Sequence, residues 1–529
     1  MFNMNSKIVG FTISRNEIDH SDIDVFDSNL QIKVKKCCNL FFYYWGIRNI
    51  DECVVGNNLY SLGFPPTNSL LDRNVLIRIC NDSIQIENDW LGSIPIFYNS
   101  KSGTVSTLFN KTVGADSVVI DPEGFNYFLE FGFSVFESTP IKNIQFLRYY
   151  SKLKVDGNTI GVEYKNDPVI GYNKTTTEEK LWQNIENYLS KVEQHTQGNI
   201  IIPTSGGYDS RILNYCIENK ERIRAYTYGI SGKQNTSFEV VYAKKLAEIL
   251  GIQWKFVPLG EYFRYYIDWF RLYGCSTHLH GMYHIEFYKK MNLESDSTLL
   301  SGIFGDVFAG NVDYKIVQNT DDLVNIAYTH GMNANKSNSL LLSENVQKNN
   351  FFLQNETLIN TPKYQPIFLV RMKIMLISYL MTIPEYFGWP TWTPYLNFDI
   401  VMGMLNLPEE RRPNRVWQQD FFHQKGINIE DFGLKCDRDN TLNFQAYSRY
   451  TFPELDEGIL SEYYDKNEIK SINENLFGIR SICNKIQYRA LHTRYIKRLA
   501  RKIGFRDNIT KTLNSLYVLK ALELCLKTD

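Results

Sequence analysis

Short apolar runs separated by turn signals fill the first 165 residues, a pattern that is typical of antiparallel β-strands. Polar pairs such as Asn57-Asn58, and the segment 101–103 with its glycine, supply turns between some of these runs. We therefore predict a layered β domain over residues 1–167. The predicted strands cover residues 8–13, 40–45, 75–79, 94–98 and 104–108.

The pattern changes after a polar stretch at 165–180, which we interpret as a linker. Predicted helices then alternate with predicted strands, and this alternation favours a parallel sheet covered on both faces. Beyond residue 260 the chain is mostly helical. The helices are predicted at 178–197, 209–220 and 237–250, and the strands at 199–203, 223–228, 253–258 and 298–301.

Composition narrows the class of protein. The 529 residues are 43% hydrophobic and 22% charged, which indicates a globular protein with substantial cores. The formal net charge is −1, so we expect neither a nucleic-acid partner nor a membrane partner. The N-terminus shows no signal-peptide pattern, and nine dispersed cysteines favour reduced thiols, so we expect a cytoplasmic location. The apolar stretch 367–379 is broken by Arg371 and Lys373 and is predicted to be a buried helix.

One motif directly follows the predicted strand at 199–203. Residues 204–210 read Thr-Ser-Gly-Gly-Tyr-Asp-Ser, and a predicted helix begins at Asp209. A strand, a Ser-Gly-Gly turn and a helix N-terminus form a concavity of backbone N–H groups that suits a phosphate. Asp209 places a carboxylate beside that phosphate, and Mg²⁺ is the cation that suits such a pair. The alternative is an ordinary Gly-Gly turn with capping residues.

A second segment repeats this arrangement after the predicted strand at 298–301. Residues 301–306 read Ser-Gly-Ile-Phe-Gly-Asp, so a strand again leads into a Ser-Gly turn and an aspartate. Asp306 would supply a second carboxylate for Mg²⁺. In parallel sheets ligands bind beyond the carboxyl ends of the strands, which is where both motifs fall.

These motifs resemble those of the asparagine synthetase and β-lactam synthetase family. The resemblance includes residues 205–210, 225–229 and 301–306, and it extends to 394–397 with Leu407-Pro408. It also includes three N-terminal segments, 89–98, 121–123 and 131–133. It implies an α+β architecture of three parts. Residues 1–167 would form an N-terminal β-sandwich that resembles a degenerate glutaminase domain of the N-terminal-nucleophile hydrolase type. Residues 175–435 would form an α/β pyrophosphate-loop ATP-binding domain with a parallel sheet, and residues 436–529 a helical C-terminal extension.

The resemblance implies a ligase that uses ATP and Mg²⁺. A carboxylate substrate attacks the α-phosphate, pyrophosphate leaves, and the acyl-adenylate is captured by an amine donor. The family's metal ligands correspond to Asp209 and Asp306. Its pyrophosphate cradle corresponds to Ser205, Gly206, Gly207 and Ser210, and its contacts flanking the nucleotide correspond to Tyr228, Ser301 and Gly302.

Several positions depart from the family pattern. The chain begins Met1-Phe2-Asn3-Met4-Asn5 without the family's N-terminal cysteine, so we predict no glutaminase activity. Ile303 stands where relatives place Glu or Tyr near the reacting nitrogen, and Val307 stands where Glu is usual. Glu385 is our candidate for the missing catalytic group, and Arg211 is a candidate contact for a phosphate or the substrate carboxylate; the alternatives are a capping Glu and a structural ion pair.

Other interpretations stay open. The same chemistry would suit an intramolecular lactam or peptide cyclase, or the amidation of a sugar acid, as in similar proteins of bacterial polysaccharide gene clusters. A non-catalytic nucleotide-binding scaffold is the alternative outside enzymes. The histidines at 278, 280 and 284 match no zinc signature, and one of them could lie beside the acyl acceptor. The basic stretch 489–506 is either a solvated amphipathic helix or a docking segment, and the sequence does not decide whether the chain is a homo-oligomer.

Overall fold

The structure is a computed structural model that describes residues 6–37, 39–114, 118–157, 159–291, 296–327, 331–493 and 495–527. Three features of the sequence analysis lie outside the described residues. They are the start of the chain at residues 1–5, Cys38 and Arg494.

Two six-stranded sheets, antiparallel throughout, form the N-terminal part. The first has the strand order β10-β8-β9-β1-β3-β2, and the second has the order β12-β11-β7-β6-β5-β4. The strands are β1 (Lys7–Ser14), β2 (Gln31–Cys37), β3 (Leu40–Ile47), β4 (Val54–Gly56), β5 (Leu59–Ser61), β6 (Val75–Ile79), β7 (Ser83–Asn88), β8 (Phe97–Asn99), β9 (Val105–Ser106), β10 (Ile144–Phe146), β11 (Ser151–Asp156) and β12 (Ile160–Tyr164).

Apolar side chains from both sheets share one core, so the two antiparallel sheets are layered on each other. Phe11 and Ile13 of β1 belong to the same buried cluster as Ile77 of β6 and Ile86 of β7. Strand β1 is buried along its whole length, because the second sheet covers one face and further chain covers the other. Helix α1 (Pro122–Phe131) adds to this part of the chain.

The middle of the chain forms a five-stranded parallel sheet with the order β15-β14-β13-β16-β17. Four of its strands were predicted, each within three residues of its observed ends, and β17 was not, because two residues give no periodicity. The strands are β13 (Ile200–Pro203), β14 (Ile223–Thr227), β15 (Gln253–Phe256), β16 (Thr298–Leu300) and β17 (Thr391–Trp392). The predicted helices correspond to α2 (Glu178–His195), α3 (Tyr208–Cys216) and α4 (Phe238–Leu250).

The remainder is helical, as predicted. Helix α20 is buried along most of its length and packs against α1, α16, α17 and α18. The helices are α5 (Tyr266–Tyr273), α6 (Tyr283–Met291), α7 (Gly305–Ala309), α8 (Leu323–Ile326), α9 (Val346–Ile359), α10 (Gln365–Met372), α11 (Ile374–Ile377), α12 (Tyr379–Tyr386), α13 (Phe398–Leu405), α14 (Val416–Gln424), α15 (Leu442–Arg449), α16 (Glu457–Leu460), α17 (Lys466–Leu476), α18 (Arg480–Leu491), α19 (Lys497–Lys502) and α20 (Asn508–Leu526).

Within the described part of the chain, no single helix has the length and apolar character needed to cross a bilayer. One pair of helices, 365–372 and 374–386, meets those criteria jointly, but the two are bent by 64° at the break between them.

Buried ion pairs attach the sandwich to the helices. Glu385 of α12 accepts from the Lys7 ammonium at 2.7 Å and from the Arg73 guanidinium at 2.8 and 3.2 Å, and all three side chains are buried. Burial lowers the pKa of Lys7 to about 8, although the charge of Glu385 opposes this shift. Arg371 likewise donates to both carboxylate oxygens of Asp167, at 2.6 and 2.9 Å.

Replacing Glu385 by Gln would leave two buried cations without a carboxylate. Removing one partner from a buried ion pair costs about 3–5 kcal/mol, because the other charge stays buried and uncompensated. We expect Glu385→Gln to lower the free energy of unfolding by roughly that amount, measured as a fall in the urea midpoint and in Tm. Glu410→Gln is the matched control, since Glu410 is exposed. Equal, small effects of the two changes would contradict this account.

Candidate active site

The two motifs lie side by side at the carboxyl edge of the parallel sheet. Strand β13 ends at Pro203 and its loop leads into α3, while the neighbouring β16 ends at Leu300 and its loop leads into α7. These two strands pair directly, with Ile200 opposite Thr298. The parallel arrangement therefore brings Asp209 and Asp306, each in the first turn of a helix, to one place.

Missing side chains at two glycines allow the loops to touch. A Cβ atom on Gly305 would lie 2.6 Å from Cγ of Asp209, and one on Gly302 would lie 3.1 Å from the backbone nitrogen of Ser210. Real Cβ atoms do not approach heavy atoms to 2.6 Å, so glycine is required where Asp209 meets the second loop. Gly206 is constrained from the other side, because its Cβ would lie 2.6 Å from Cβ of Tyr242.

Hydroxyl groups hold the first loop in a curled shape. The Gly207 N–H donates to Oγ of Ser205 at 3.2 Å, and the Ser205 N–H donates to Oγ of Ser210 at 3.2 Å. Behind the loop, Arg211 donates to the Gly206 carbonyl at 3.0 Å and pairs with Glu430 at 2.9 Å. These contacts shape a concavity whose hydroxyl and N–H groups suit an anion.

Asp209 has a buried carboxylate, one oxygen of which lacks a hydrogen-bond donor in the described part of the chain. Its Oδ1 atom is buried and has no hydrogen-bond partner among the described residues. Burial raises the pKa of Asp209 to about 8, and the nearby charge of Asp306 adds to the shift, while Arg415 opposes it. A buried oxygen without a donor is costly. A cation between the two aspartates would remove that cost.

The arrangement fits Mg²⁺ bound together with a phosphate. Mg²⁺ is usually held by one or two carboxylates plus substrate phosphates and water. The described residues include no set of three or more His, Cys, Asp and Glu side chains placed to hold a metal. A pair of carboxylates beside an anion-binding loop therefore matches Mg²⁺ with a phosphorylated ligand better than a structural metal site.

A cavity of about 520 Å³ opens above the two loops. One part of its wall comes from the motifs, and the opposite part is aromatic and comes largely from α6. Of the predicted site residues, Ser205, Gly207, Asp209, Ser210, Tyr228, Ser301, Gly302 and Asp306 line the cavity. The aromatic part comprises Tyr283, His284, Phe287 and Tyr288, together with Tyr228.

Three predicted residues do not line the cavity. Glu385 does not line it, because its carboxylate is committed to Lys7 and Arg73 at the attachment of the sandwich. Arg211 is fully buried behind the first loop, where it pairs with Glu430 instead of facing a ligand. Glu385 was predicted from its place near a catalytic Glu of the resembling family, and Arg211 because it directly follows the first loop; in the structure both side chains bind partners away from the cavity. Gly206 does not line the cavity either, and its role is to admit the Tyr242 side chain.

The structure adds three charged residues that the sequence analysis did not select. Lys373 is close enough to Asp306 for that carboxylate to affect the pKa of Lys373, although burial dominates and lowers it to about 8. Arg415 acts on Asp209, and its guanidinium lies over the Tyr208 ring. Glu239 lines the cavity, and burial raises its pKa. None of them belongs to a motif, so only their position in space identifies them.

His284 is the histidine that reaches the cavity. It is buried, and desolvation together with the charge of His280 lowers its pKa to about 3, so the ring is neutral near pH 7. Its Nε2 has no hydrogen-bond partner among the described residues. His280 instead contacts Asn443, with 3.0 Å between Nε2 and Oδ1. No zinc-like cluster forms from these histidines in the described part of the chain.

Comparisons with known proteins give little further support. No family model matches the chain, and no curated protein matches it. Among solved structures, the chain is similar to an NH₃-dependent NAD synthetase from Campylobacter jejuni, solved with a nitrate ion. The identity is 12%, the match covers 38% of this chain and 95% of that one, and the TM-score is 0.22. A superposition with so low a TM-score carries no argument about this chain.

The raised pKa of Asp209 predicts a pH-dependent stability. The folded protein keeps this proton up to about pH 8, whereas the unfolded chain releases it near pH 4. The stability that the protonated group contributes is complete below about pH 4 and is lost as the pH rises through about 8. We expect Asp209→Asn, which is neutral at every pH, to be more stable than wild type at about pH 9, on the order of 2 kcal/mol, with less difference at about pH 5.

Thermal unfolding across that pH range checks this expectation, with Asp313→Asn as the control, because Asp313 is exposed. Mg²⁺ should raise the Tm of wild type at high pH and leave that of Asp209→Asn unchanged. A pH-independent difference between wild type and Asp209→Asn would show that Asp209 is ionised in the folded protein.

The close approach of Gly305 to Asp209 predicts that even a methyl group is harmful there. Gly305→Ala must displace the Asp209 carboxylate, and overpacking of this kind costs about 1–3 kcal/mol. We expect a matching fall in stability and at least tenfold weaker Mg²⁺-dependent binding of ATP, measured by titration calorimetry. Gly161→Ala is the control, because a Cβ there meets no atom within 4 Å. Unchanged ATP binding by Gly305→Ala would contradict the proposed geometry.

Proposed function

We propose that the protein is an ATP- and Mg²⁺-dependent ligase. It activates a carboxylate as an acyl-adenylate, releases pyrophosphate, and joins the acyl group to an amine with release of AMP. The amine is ammonia, a second substrate, or an amine of the acid itself, in which case the product is a lactam or cyclic peptide. The proposal includes the absence of glutaminase activity.

One observation carries this proposal more than any other. Asp209, with a buried and unpartnered carboxylate oxygen, lies beside Asp306 and a Ser-Gly-Gly loop at the carboxyl edge of a parallel sheet. A binding module for a neutral ligand gains nothing from two adjacent carboxylates, which repel each other. Such a pair has a purpose when a cation and a phosphate complete it.

The chain's own groups would hold the triphosphate in place. The hydroxyls and N–H groups of Ser205, Gly207 and Ser210 would face the leaving pyrophosphate, and Asp209 and Asp306 would hold the metal. Mg²⁺, when bound, neutralises charge on the phosphates and on the leaving group. Lys373, close to Asp306, is placed to add a positive charge near the same phosphates.

The aromatic side of the cavity would receive the acid and the amine. Its rings exclude water, which protects an acyl-adenylate from hydrolysis. Ile303 lines the cavity and can neither accept a proton nor orient an amine. His284 is a neutral ring on the aromatic side of the cavity, so its unprotonated ring nitrogen is available to accept the proton that the amine must lose.

A second candidate function is nucleotide binding without turnover. Ile303 favours it, because the cavity has no carboxylate at that position. The two functions predict different effects of replacing the aspartates. A ligase requires both Asp209 and Asp306 for turnover. A scaffold has no turnover to lose, and its binding to a partner protein can persist when either aspartate is replaced.

The test is pyrophosphate release from ATP and Mg²⁺ with a panel of carboxylic acids, including amino acids and sugar acids, with and without ammonium. We expect acid-dependent release by wild type, and a loss of at least a hundredfold in Asp209→Asn and in Asp306→Asn, because each removes charge that holds the metal. Asp313→Asn should retain full activity. Mass spectrometry of the acyl-adenylate or amide then identifies the acid and the amine.

Two results would count against the ligase. One is release that is independent of the acid and of both aspartates. The other is tight ATP binding with no release for any acid in the panel, which would favour the nucleotide-binding scaffold.

A further inference from the structure

The segment 479–506 has a charge unlike that of the rest of the chain. It contains nine Lys and Arg residues and no Asp or Glu, although the whole chain carries a net charge of −1. Its helices are α18 and α19, which pack against each other. A neutral average therefore conceals one strongly cationic surface.

Helix α18 buries Tyr488 and Leu491 near its end, but in its first two turns the buried side chains are polar and the isoleucines are exposed. Ser481 and Asn484 are buried, and Asn484 bonds to the carbonyl of Asn475 at 3.1 Å. Ile482 and Ile486, four residues apart, are on the opposite side and more than half exposed. A helix that packs only onto its own protein buries its apolar side chains. The exposed isoleucines of this helix therefore indicate contact with a surface outside the chain.

The exposed apolar side chains continue through the turn and into α19. Ile479 is 89% exposed and Tyr495 is 90% exposed, and Leu499 and Ile503 are each more than half exposed. The chain also folds back here, because the Arg506 N–H donates to the Gln487 side chain at 3.3 Å. That contact brings the end of α19 close to the middle of α18.

Four cationic side chains of α19 lie along this surface. Lys497, Arg498, Arg501 and Lys502 line one open depression. Arg498, Arg501 and Lys502 have no ion-pair partner among the described residues, whereas Lys497 lies 3.5 Å from Asp439. Long cationic side chains with apolar stems suit the boundary between a charged surface and an apolar interior.

We propose that the surface formed by residues 479–493 and 495–506 binds the face of an anionic lipid bilayer. Its exposed Ile, Leu and Tyr side chains would enter the boundary between headgroups and acyl chains, and its Lys and Arg side chains would meet anionic headgroups. The helices lie on the membrane and do not cross it. This inference replaces our expectation from net charge that the protein has no membrane partner, and it does not depend on the proposed ligase activity.

Charge and polarity favour an anionic bilayer over two other binding partners, a second copy of the chain and a nucleic acid. A second copy of the same surface would place cations against cations without a single carboxylate to pair them, so self-association through this surface is disfavoured. A nucleic acid would neutralise the cations but would leave the isoleucines in contact with water. An anionic bilayer satisfies both the charges and the apolar side chains.

The experiment is flotation of the full chain with vesicles, comparing phosphatidylcholine alone with phosphatidylcholine containing phosphatidylglycerol. We expect binding to the anionic vesicles at physiological ionic strength and little binding to the zwitterionic ones. The double variants Ile482→Gln/Ile486→Gln and Arg498→Gln/Arg501→Gln should each bind roughly tenfold more weakly. A polarity-sensitive dye on the exposed Cys483, compared with dye-treated Cys483→Ser, should shift to the blue on binding.

Matched controls use exposed residues elsewhere on the chain. Leu342→Gln/Leu353→Gln removes two apolar side chains, and Lys154→Gln/Lys233→Gln removes two charges. Both controls should bind vesicles as wild type does, and all variants should keep wild-type ATP binding and Tm. The proposal is overturned by absence of vesicle binding, by equal loss in the controls, by binding that the dye at Cys483 does not report, or by a dimer that the isoleucine variant dissociates. Preferential binding of duplex DNA or RNA over the vesicles would also overturn it.

Discussion

The candidate active site depends on one close contact, that of the Asp209 carboxylate with Gly305. The carboxylate occupies the space that a side chain at 305 would fill, and this is how two strand-end loops can place two carboxylates together. An ionised Asp209 carboxylate is unfavourable at this position without a cation, since burial and the charge of Asp306 both raise the pKa of Asp209. The buried carboxylate therefore favours a cation at this point, and the Ser-Gly-Gly loop beside it offers N–H and hydroxyl groups that suit an anion.

Buried ion pairs attach the β-sandwich to the helices that pack near the candidate site. Lys7 at the start of β1 and Arg73 both reach Glu385, and Trp90 donates to the Leu396 carbonyl at 2.9 Å. Leu396 follows Tyr395, whose hydroxyl donates to the carbonyl of Asp209 at 3.2 Å. The sandwich thus packs onto chain that supports the site, a structural role that needs no catalysis of its own.

The net charge of the whole chain does not reveal how charge is distributed over its surface. Positive and negative residues almost cancel over 529 positions, yet they are not mixed evenly. Seven of the nine cationic residues of 479–506 lie on α18 and α19, where Ile482, Ile486 and Leu499 are exposed. The cavity beside Asp209 and this surface are built from different elements, so one could change without the other.

The sequence by itself determined the element order and the two motifs. Apolar runs and helix periodicity predicted β1, β3, β6 and most of the parallel sheet, because those signals are local. It also identified Asp209 and Asp306, since a strand followed by a Ser-Gly turn and Asp is a short pattern. It could not place Glu385 or Arg211, whose ion-pair partners Arg73 and Glu430 lie more than two hundred residues away in the chain. Only the tertiary structure decided which charges face the cavity and which apolar side chains stay exposed on α18, because both depend on packing between distant segments.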